Sequence, residues 1–255
     1  MKARLADHMV MSDAFAKWAD ADGLNVQWVF ESPQVVVWRK LDDRENCVAE
    51  IAVPEGGKAK LHIKRYPTRG PARVESLGLN LLYKAKIPAA SVAAWGWRAD
   101  GRGFVITHDL EGYQPADKMI EAGRPFAELL EPTADIAAKL HRAGLHHRDL
   151  YLCHFMVKGR QIALIDAARV RKLPAWPMRR RWIVKDLAQF WHSTTKLPIT
   201  DDQRMRWLSR YGERRKIRSL QWLKRSIEAK ARRIAAHDAK LTAREPGRHV
   251  SIPTS

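Results

Sequence analysis

Cysteine is scarce: Cys47 and Cys153 are the two copies in 255 residues, far apart and without CxxC spacing. That pattern argues against a structural metal and, in a reducing compartment, against a disulfide framework. Long apolar runs are missing too. No stretch approaches the roughly 18 uncharged apolar residues that a spanning helix needs. The opening residues, MKARLADHMVMSDAFAKWADADG, lack the apolar core of a signal peptide. The expectation is a protein that stays in the cytoplasm, with peripheral contact to the inner face of a membrane left open. Internal repeats and low-complexity tracts are absent as well. Acidic residues are in short supply: 28 Asp and Glu face 46 Lys and Arg, a formal charge of +18. Solubility does not require such an excess. It favours an anionic partner, whether nucleic acid, anionic lipid or a phosphorylated glycan.

What is present suits a globular protein, with 45% hydrophobic and 29% charged residues. The length fits one large domain or two small lobes with a substantial core. The stretch Gln27–Ala52 reads as strands: Trp28-Val29-Phe30 and Val35-Val36-Val37-Trp38, parted by the turn signal Glu31-Ser32-Pro33-Gln34. Cys47–Val53 and Ala59–Tyr66 continue the pattern across Pro54-Glu55-Gly56-Gly57. Pro71–Lys86 reads as a helix with Val74, Leu77, Leu81 and Leu82 at helical spacing, and Val92–Trp97 and Gly103–His108 as two more strands. Beyond Leu110-Glu111-Gly112 the texture becomes helical, over Thr133–Ala143, Trp182–His192, Asp201–Tyr211 and a long basic segment Glu213–Leu241. This order predicts an α+β fold of two lobes, a strand-rich lobe over 1–111 with one main helix and a helical lobe over 112–255, hinged near Thr107–Gly112.

The segment richest in chemistry is His146-His147-Arg148-Asp149-Leu150, which follows a helix and precedes the strand pair Phe155–Val157 and Gln161–Ile165. This is the context of an HRD catalytic loop, whose Asp orients or deprotonates the attacking hydroxyl. Seventeen residues on, Asp166 ends the apolar run Ala163-Leu164-Ile165. Kinases place a Mg²⁺-binding carboxylate there, and Mg²⁺ prefers oxygen ligands. Upstream, Lys64 sits late in an alternating strand, where an ammonium neutralises phosphate charge. Glu75, eleven residues later on the expected helix, is spaced to hold it. Taken singly, each residue also fits a solvated loop or surface position. Their order and context together point to a kinase fold that uses ATP and Mg²⁺.

The longer string HRDLYLCHF, with the downstream LIDAARV, resembles the lipopolysaccharide core kinase family, which phosphorylates Kdo or heptose sugars. His62–Pro67, Val105–Leu110, Trp182–Ala188, Ile234–Asp238 and Pro246-Gly247-Arg248 fit the same family, so the resemblance runs from about Val35 to Pro253. It implies a protein-kinase-like fold and ATP-dependent phosphorylation of a sugar in the lipopolysaccharide inner core. It implies Asp149 as base or orienter, Asp166 as metal ligand and Lys64, paired with Glu75, as phosphate contact. By the same resemblance His147 and Arg148 brace the loop, Asp186 holds its backbone, and Asp109 and Leu110 form the adenine hinge through backbone groups. An acyl carrier protein enters as a candidate partner on the same ground. Two departures stand out. His154 replaces the usual Asn five residues after the catalytic Asp, as the family also has it, and imidazole is a poor Mg²⁺ ligand. It is left as a phosphate contact, a weak ligand for a second metal, or a brace. The stretch Arg39–Val48, where a nucleotide-covering loop belongs, has no glycine to let amides approach phosphate, and Arg44 is the charge that substitutes.

Between Asp166 and Asp186 stand Arg169, Arg171, Lys172, Arg179, Arg180, Arg181 and Lys185, at the position of an activation segment. Guanidinium forks there suit an acceptor dense in carboxylate and phosphate, and a solvated basic face is the plainer reading. In the late basic helix, Ile217, Leu220, Leu223, Ile227 and Ile234 are expected to share one side. Of the ten tryptophans, which include Trp176, Trp182, Trp207 and Trp222, most are expected in the core, and one or two at a sugar site or a bilayer interface. Other readings remain open: another small-molecule or protein kinase on the same fold, or a pseudokinase that binds an anionic partner. A nucleic-acid module rests on charge alone, with no recognition motif to support it.

Overall fold

The computed structural model describes residues 5–54 and 56–244. It separates into two compact units, Met1–Tyr83 with Ala89–Glu111, and Lys84–Pro88 with Gly112–Ser255. The N-terminal part is built on an antiparallel sheet and the C-terminal part is chiefly helical, as the α+β reading expects.

Six strands form the N-terminal sheet: β1 (His8–Met11), β2 (Val36–Lys40), β3 (Glu45–Ala52), β4 (Lys58–Tyr66), β5 (Val92–Trp97) and β6 (Gly103–His108). Their order is β1-β5-β6-β4-β3-β2. Alternation sets the faces. On β3, Cys47, Ala49 and Ile51 are buried, and on β4 so are Leu61 and Ile63. These join Phe15, Val26, Val29, Phe104 and Ile106 in one core. The period of two sends His62, Lys64 and Tyr66 to the opposite face of β4. Helix α3 (Arg69–Lys84) lies close to the start of β6: a Cβ added at Gly103 would meet the Ala72 Cβ and Arg69 Cα at 2.8 Å. Two short helices precede β2, namely α1 (Asp13–Asp22) and α2 (Val26–Glu31).

Helix α2 corrects the strand expected over Trp28-Val29-Phe30. Asn25 caps it, its Oδ1 accepting the Trp28 amide at 2.9 Å, and Val26 and Val29 bury one turn apart. Capping and i,i+3 burial override β-propensity here. The stretch Arg39–Val48 is mostly strand, with the β2–β3 turn confined to 41–44. Leu77, one of the four apolar residues at helical spacing in α3, is 51% exposed, and Glu75, Ser76 and Leu79 are buried. Glu55, from the expected hairpin turn Pro54-Glu55-Gly56-Gly57, lies outside the described residues, as do Pro246-Gly247-Arg248.

The C-terminal unit comprises β7 (Gln114–Pro115), α4 (Ala116–Glu121), α5 (Phe126–Arg142), β8 (Leu145–His146), β9 (Phe155–Lys158), β10 (Gln161–Leu164), β11 (Arg171–Lys172), α6 (Met178–Thr194), α7 (Asp201–Arg215) and α8 (Leu220–Arg244). Small sheets pair β10-β9-β7 and β11-β8. Aromatic stacking ties α6 to α7: Phe190 lies 4.0 Å from Trp207, which stacks in turn on Tyr211. The Trp207 indole donates to Thr133 of α5 at 2.9 Å, so its one polar atom is satisfied in the core. Asp135 of α5 accepts paired bonds from Arg210 and Arg214 of α7, all between 2.8 and 3.0 Å. The single helix expected over Glu213–Leu241 is two. Lys216 turns left-handed (φ 53°) and ends α7, so Ile217 falls between helices, and α8 buries Leu223, Ile227, Ala231 and Ile234. Among the described residues no helix is long and apolar enough to cross a membrane.

Candidate active site

In the N-terminal unit, the chemistry gathers on the β4 face opposite the core. The Lys64 ammonium donates to Glu75 Oε1 at 2.7 Å. The Tyr66 hydroxyl donates to the other oxygen, Oε2, in a short hydrogen bond. Glu75 is 3% exposed, so its carboxylate is held on both sides in a dry setting where such bonds are strong. Burial and the adjacent Glu75 charge push the Tyr66 phenol well above its ordinary range, which keeps it a donor. Arg44, at the end of the β2–β3 turn, lies near enough to Tyr66 to oppose that rise. Its Nη1 pairs with Asp43 at 3.1 Å, and its buried Nε has no hydrogen-bond partner. At the other end of the same face, His62 Nε2 meets Asp109 Oδ1 at 2.6 Å. The Asp109 amide donates to the Lys60 carbonyl at 3.0 Å. Any adenine contact at Asp109 therefore falls to its carbonyl.

In the C-terminal unit, Asp186 organises the loop that carries His147, Arg148 and Asp149. This fully buried carboxylate of α6 accepts the His147 amide at 2.7 Å and the Arg148 amide at 2.8 Å, and meets His141 Nε2 at 3.2 Å. Burial opposes its charge, yet the His141 imidazole and the loop amides hold its carboxyl below the usual carboxylate range. His141 also bonds the Tyr211 hydroxyl at 2.8 Å, so the anchor extends into the aromatic stack. His147 donates from Nε2 to the Ile165 carbonyl at 3.1 Å, linking the loop to the residue before Asp166. Arg148 adopts φ 71°. Its carbonyl accepts Lys185 Nζ at 2.9 Å, and its guanidinium lies 4.6 Å over the Trp182 ring. The side chain thus braces the loop, and its buried Nε is compensated by the ring face rather than by an acceptor.

Asp149 follows this strained residue and emerges with its side chain 18% exposed. Burial pushes its carboxyl above the ordinary value, with Arg169 opposing and Asp166 reinforcing the rise. Its Oδ1 accepts Arg169 Nη1 at 3.2 Å and Gln189 Nε2 at 3.4 Å. His154 bonds the Asp149 carbonyl through Nδ1 at 2.7 Å and turns Nε2 toward Asp166 Oδ2, 3.9 Å away. Burial disfavours charge on this imidazole, but Cys153, Asp166 and the Asp149 carbonyl together carry its pKa up to about 9. Asp166 is itself left-handed (φ 58°, ψ 58°) at the end of the strand run. Among the described residues, no three His, Cys, Asp or Glu side chains gather as a metal cage. A single carboxylate suits Mg²⁺, an ion held largely by substrate phosphates and water.

Each predicted site residue therefore lies in one of two assemblies. Lys64, Glu75 and Arg44 belong to one, with Asp109 and Leu110 at the end of its sheet, and Arg148, Asp149, His154 and Asp166 to the other. Sequence reasoning missed Tyr66, Gln189 and Arg169 as direct partners of the acidic groups. Tyr66 carried a findable signal, since it shares strand parity with Lys64.

A family model described as the lipopolysaccharide kinase (Kdo/WaaP) family matches residues 65–211, more than half of the chain. The chain belongs to that family. This kinase is 27% identical over 238 residues to a lipopolysaccharide core heptose(I) kinase WaaP of Pseudomonas aeruginosa, an alignment covering 78% of this chain and 87% of that protein. It is 35% identical over 154 residues to the protein of the same name from Escherichia coli K12, covering 51% of this chain and 56% of the relative. The matched residues include the whole 146–155 loop, Asp166 and Asp186, so family membership and loop geometry bear on the same part of the molecule.

Proposed function

We propose that this kinase transfers the γ-phosphoryl group of ATP to a hydroxyl of a heptose or Kdo sugar in the lipopolysaccharide inner core, with heptose favoured by the names of its relatives. The observation that carries the reading is Asp149, a half-sequestered carboxylate on a loop whose two preceding amides are held by buried Asp186. In this reading Asp149 Oδ accepts a hydrogen bond from the acceptor hydroxyl and takes its proton as the oxygen attacks phosphorus. Lys64, held by Glu75, neutralises charge on the nucleotide phosphates, and Arg44 adds positive charge in place of glycine amides. Asp166 would hold Mg²⁺, which lowers the charge on the phosphate oxygens when bound. His154, cationic at its pKa of about 9, is assigned as a brace between the Asp149 backbone and Asp166 rather than as a ligand. Adenine would meet the Asp109 carbonyl and the Leu110 backbone.

The test is transfer of label from γ-labelled ATP to dephosphorylated core oligosaccharide, with mapping of the labelled sugar. Asp149→Asn is expected to lower kcat by about 10²–10⁴-fold with an unchanged thermal midpoint, and Asp166→Ala to abolish Mg²⁺-dependent transfer. Full turnover in both folded variants would refute the assignment. Transfer to a peptide or free metabolite, but not to core sugar, would keep the kinase and move the acceptor.

A further inference from the structure

In the C-terminal unit, all large apolar side chains that stand exposed among the described residues lie at one place. Trp176 is 69% exposed, Met178 41% and Trp222 41%. Trp176 and Met178 lead into α6, and Trp222 sits in the first turn of α8. Arg180 joins them: its guanidinium carbon is 3.0 Å from the Trp222 ring centroid and 5.6 Å from that of Trp176. One cation thus holds two indoles that no core packing explains. The adjoining sequence is mostly basic, with Glu228, paired to Lys224 at 3.5 Å, the nearest acid along α8. Residues 167–185 include Arg179 and Arg181 but no Asp or Glu, and residues 216–227 include Arg218 and Arg225 but no acid.

We propose that this Trp176–Met178–Trp222 patch docks the kinase on the surface of an anionic phospholipid bilayer. Indole rings settle at the boundary between hydrocarbon and headgroup, where an apolar ring and a polar N–H are both accommodated. Arginines beside them meet lipid phosphates. The thioether of Met178 adds apolar surface with no polar function. A glycan would also stack on indole, but sugar hydroxyls need acceptors close to the ring. Residues 167–185 contain no Asp, Glu, Asn, Gln, Ser or Thr, so the side chains on the α6 side supply donors and no acceptor oxygen. Phosphate-bearing headgroups match that donor-only chemistry. With no helix able to cross a membrane among the described residues, a surface contact of this kind would bring the protein to lipid. The inference stands on the patch itself and does not depend on which acceptor is phosphorylated.

The experiment is co-sedimentation of the full chain with phosphatidylcholine vesicles, with and without phosphatidylglycerol, for wild type and the Trp176→Ala/Trp222→Ala pair. Wild type is expected to bind the anionic vesicles, and the pair to bind about tenfold more weakly. Phosphorylation of a water-soluble, deacylated acceptor should be unchanged. Trp176→Phe/Trp222→Phe, which keeps the aromatic faces, should recover much of the binding and controls for folding. Two results overturn the proposal. One is equal binding by wild type and the alanine pair, which would leave only diffuse charge. The other is intact vesicle binding with lost turnover of the soluble acceptor, which would make the patch a glycan site.

Discussion

Glu75 shows how much one carboxylate carries. A helical Glu usually faces water. The fold buries it, and both its oxygens are taken, by Lys64 and by Tyr66. Glu75→Gln keeps the shape and removes the charge. The ammonium then loses this anionic partner, and KM for ATP should rise about tenfold or more while kcat for bound nucleotide falls less. Tyr66→Phe should cost stability, on the order of 1 kcal/mol, with a smaller effect on KM. Steady-state kinetics and thermal melts of the two variants separate the roles. Lys64 and Glu75 were legible because strand parity and an eleven-residue offset place them without knowledge of the rest of the fold. Arg169 and Gln189 were not. Their contacts with Asp149 span twenty and forty residues, and nothing in their local sequence marks them.

At the scale of elements, the close contact at Gly103 makes a sharp prediction. Gly103→Ala must displace the backbone at Arg69 or the Ala72 methyl, and small-to-large changes of this kind cost about 1–3 kcal/mol. A lowered denaturation midpoint with unchanged denaturant slope would show it. The catalytic loop makes another. Burial holds His146 and His147 near pKa 4, against an ordinary value of 6.5. Between those values the unfolded chain binds protons that the folded loop refuses. The contribution of these two imidazoles should therefore rise with pH from about 4 to 6.5, by on the order of 1–3 kcal/mol each, whereas that of His154, carried up to about 9, is lost as pH rises from 6.5 to 9. Urea denaturation across the lower range tests the sign, and His147→Asn should flatten the slope. Sequence reading located most of these elements because alternation and helical spacing were strong over β4, α3 and α6. It failed where local signals conflicted. At Trp28–Phe30 a capping Asn outweighed β-formers, and at Lys216 a left-handed turn interrupted a helical pattern with no glycine or proline to announce it.

For the whole molecule, the charge of +18 should act on encounter more than on chemistry. An anionic core acceptor is drawn by the field and released as salt screens it, so kcat/KM for acceptor should fall about tenfold from low to physiological ionic strength. The chemical step in preformed complexes should hardly change. Single-turnover measurements at several salt concentrations distinguish the two. A flat response would mean that the basic surface serves something other than acceptor capture.

The anchoring of the loop has a consequence for genetics. Asp186 sits one hydrogen bond from His141, which sits one from Tyr211, whose ring stacks in the interior. A mutational screen scored by survival would flag positions 141, 186 and 211 alongside 149. On the proposed mechanism, three of those four side chains need touch no reactant. They would mimic catalytic positions because the peptide groups ahead of the reactive carboxylate take their orientation from them.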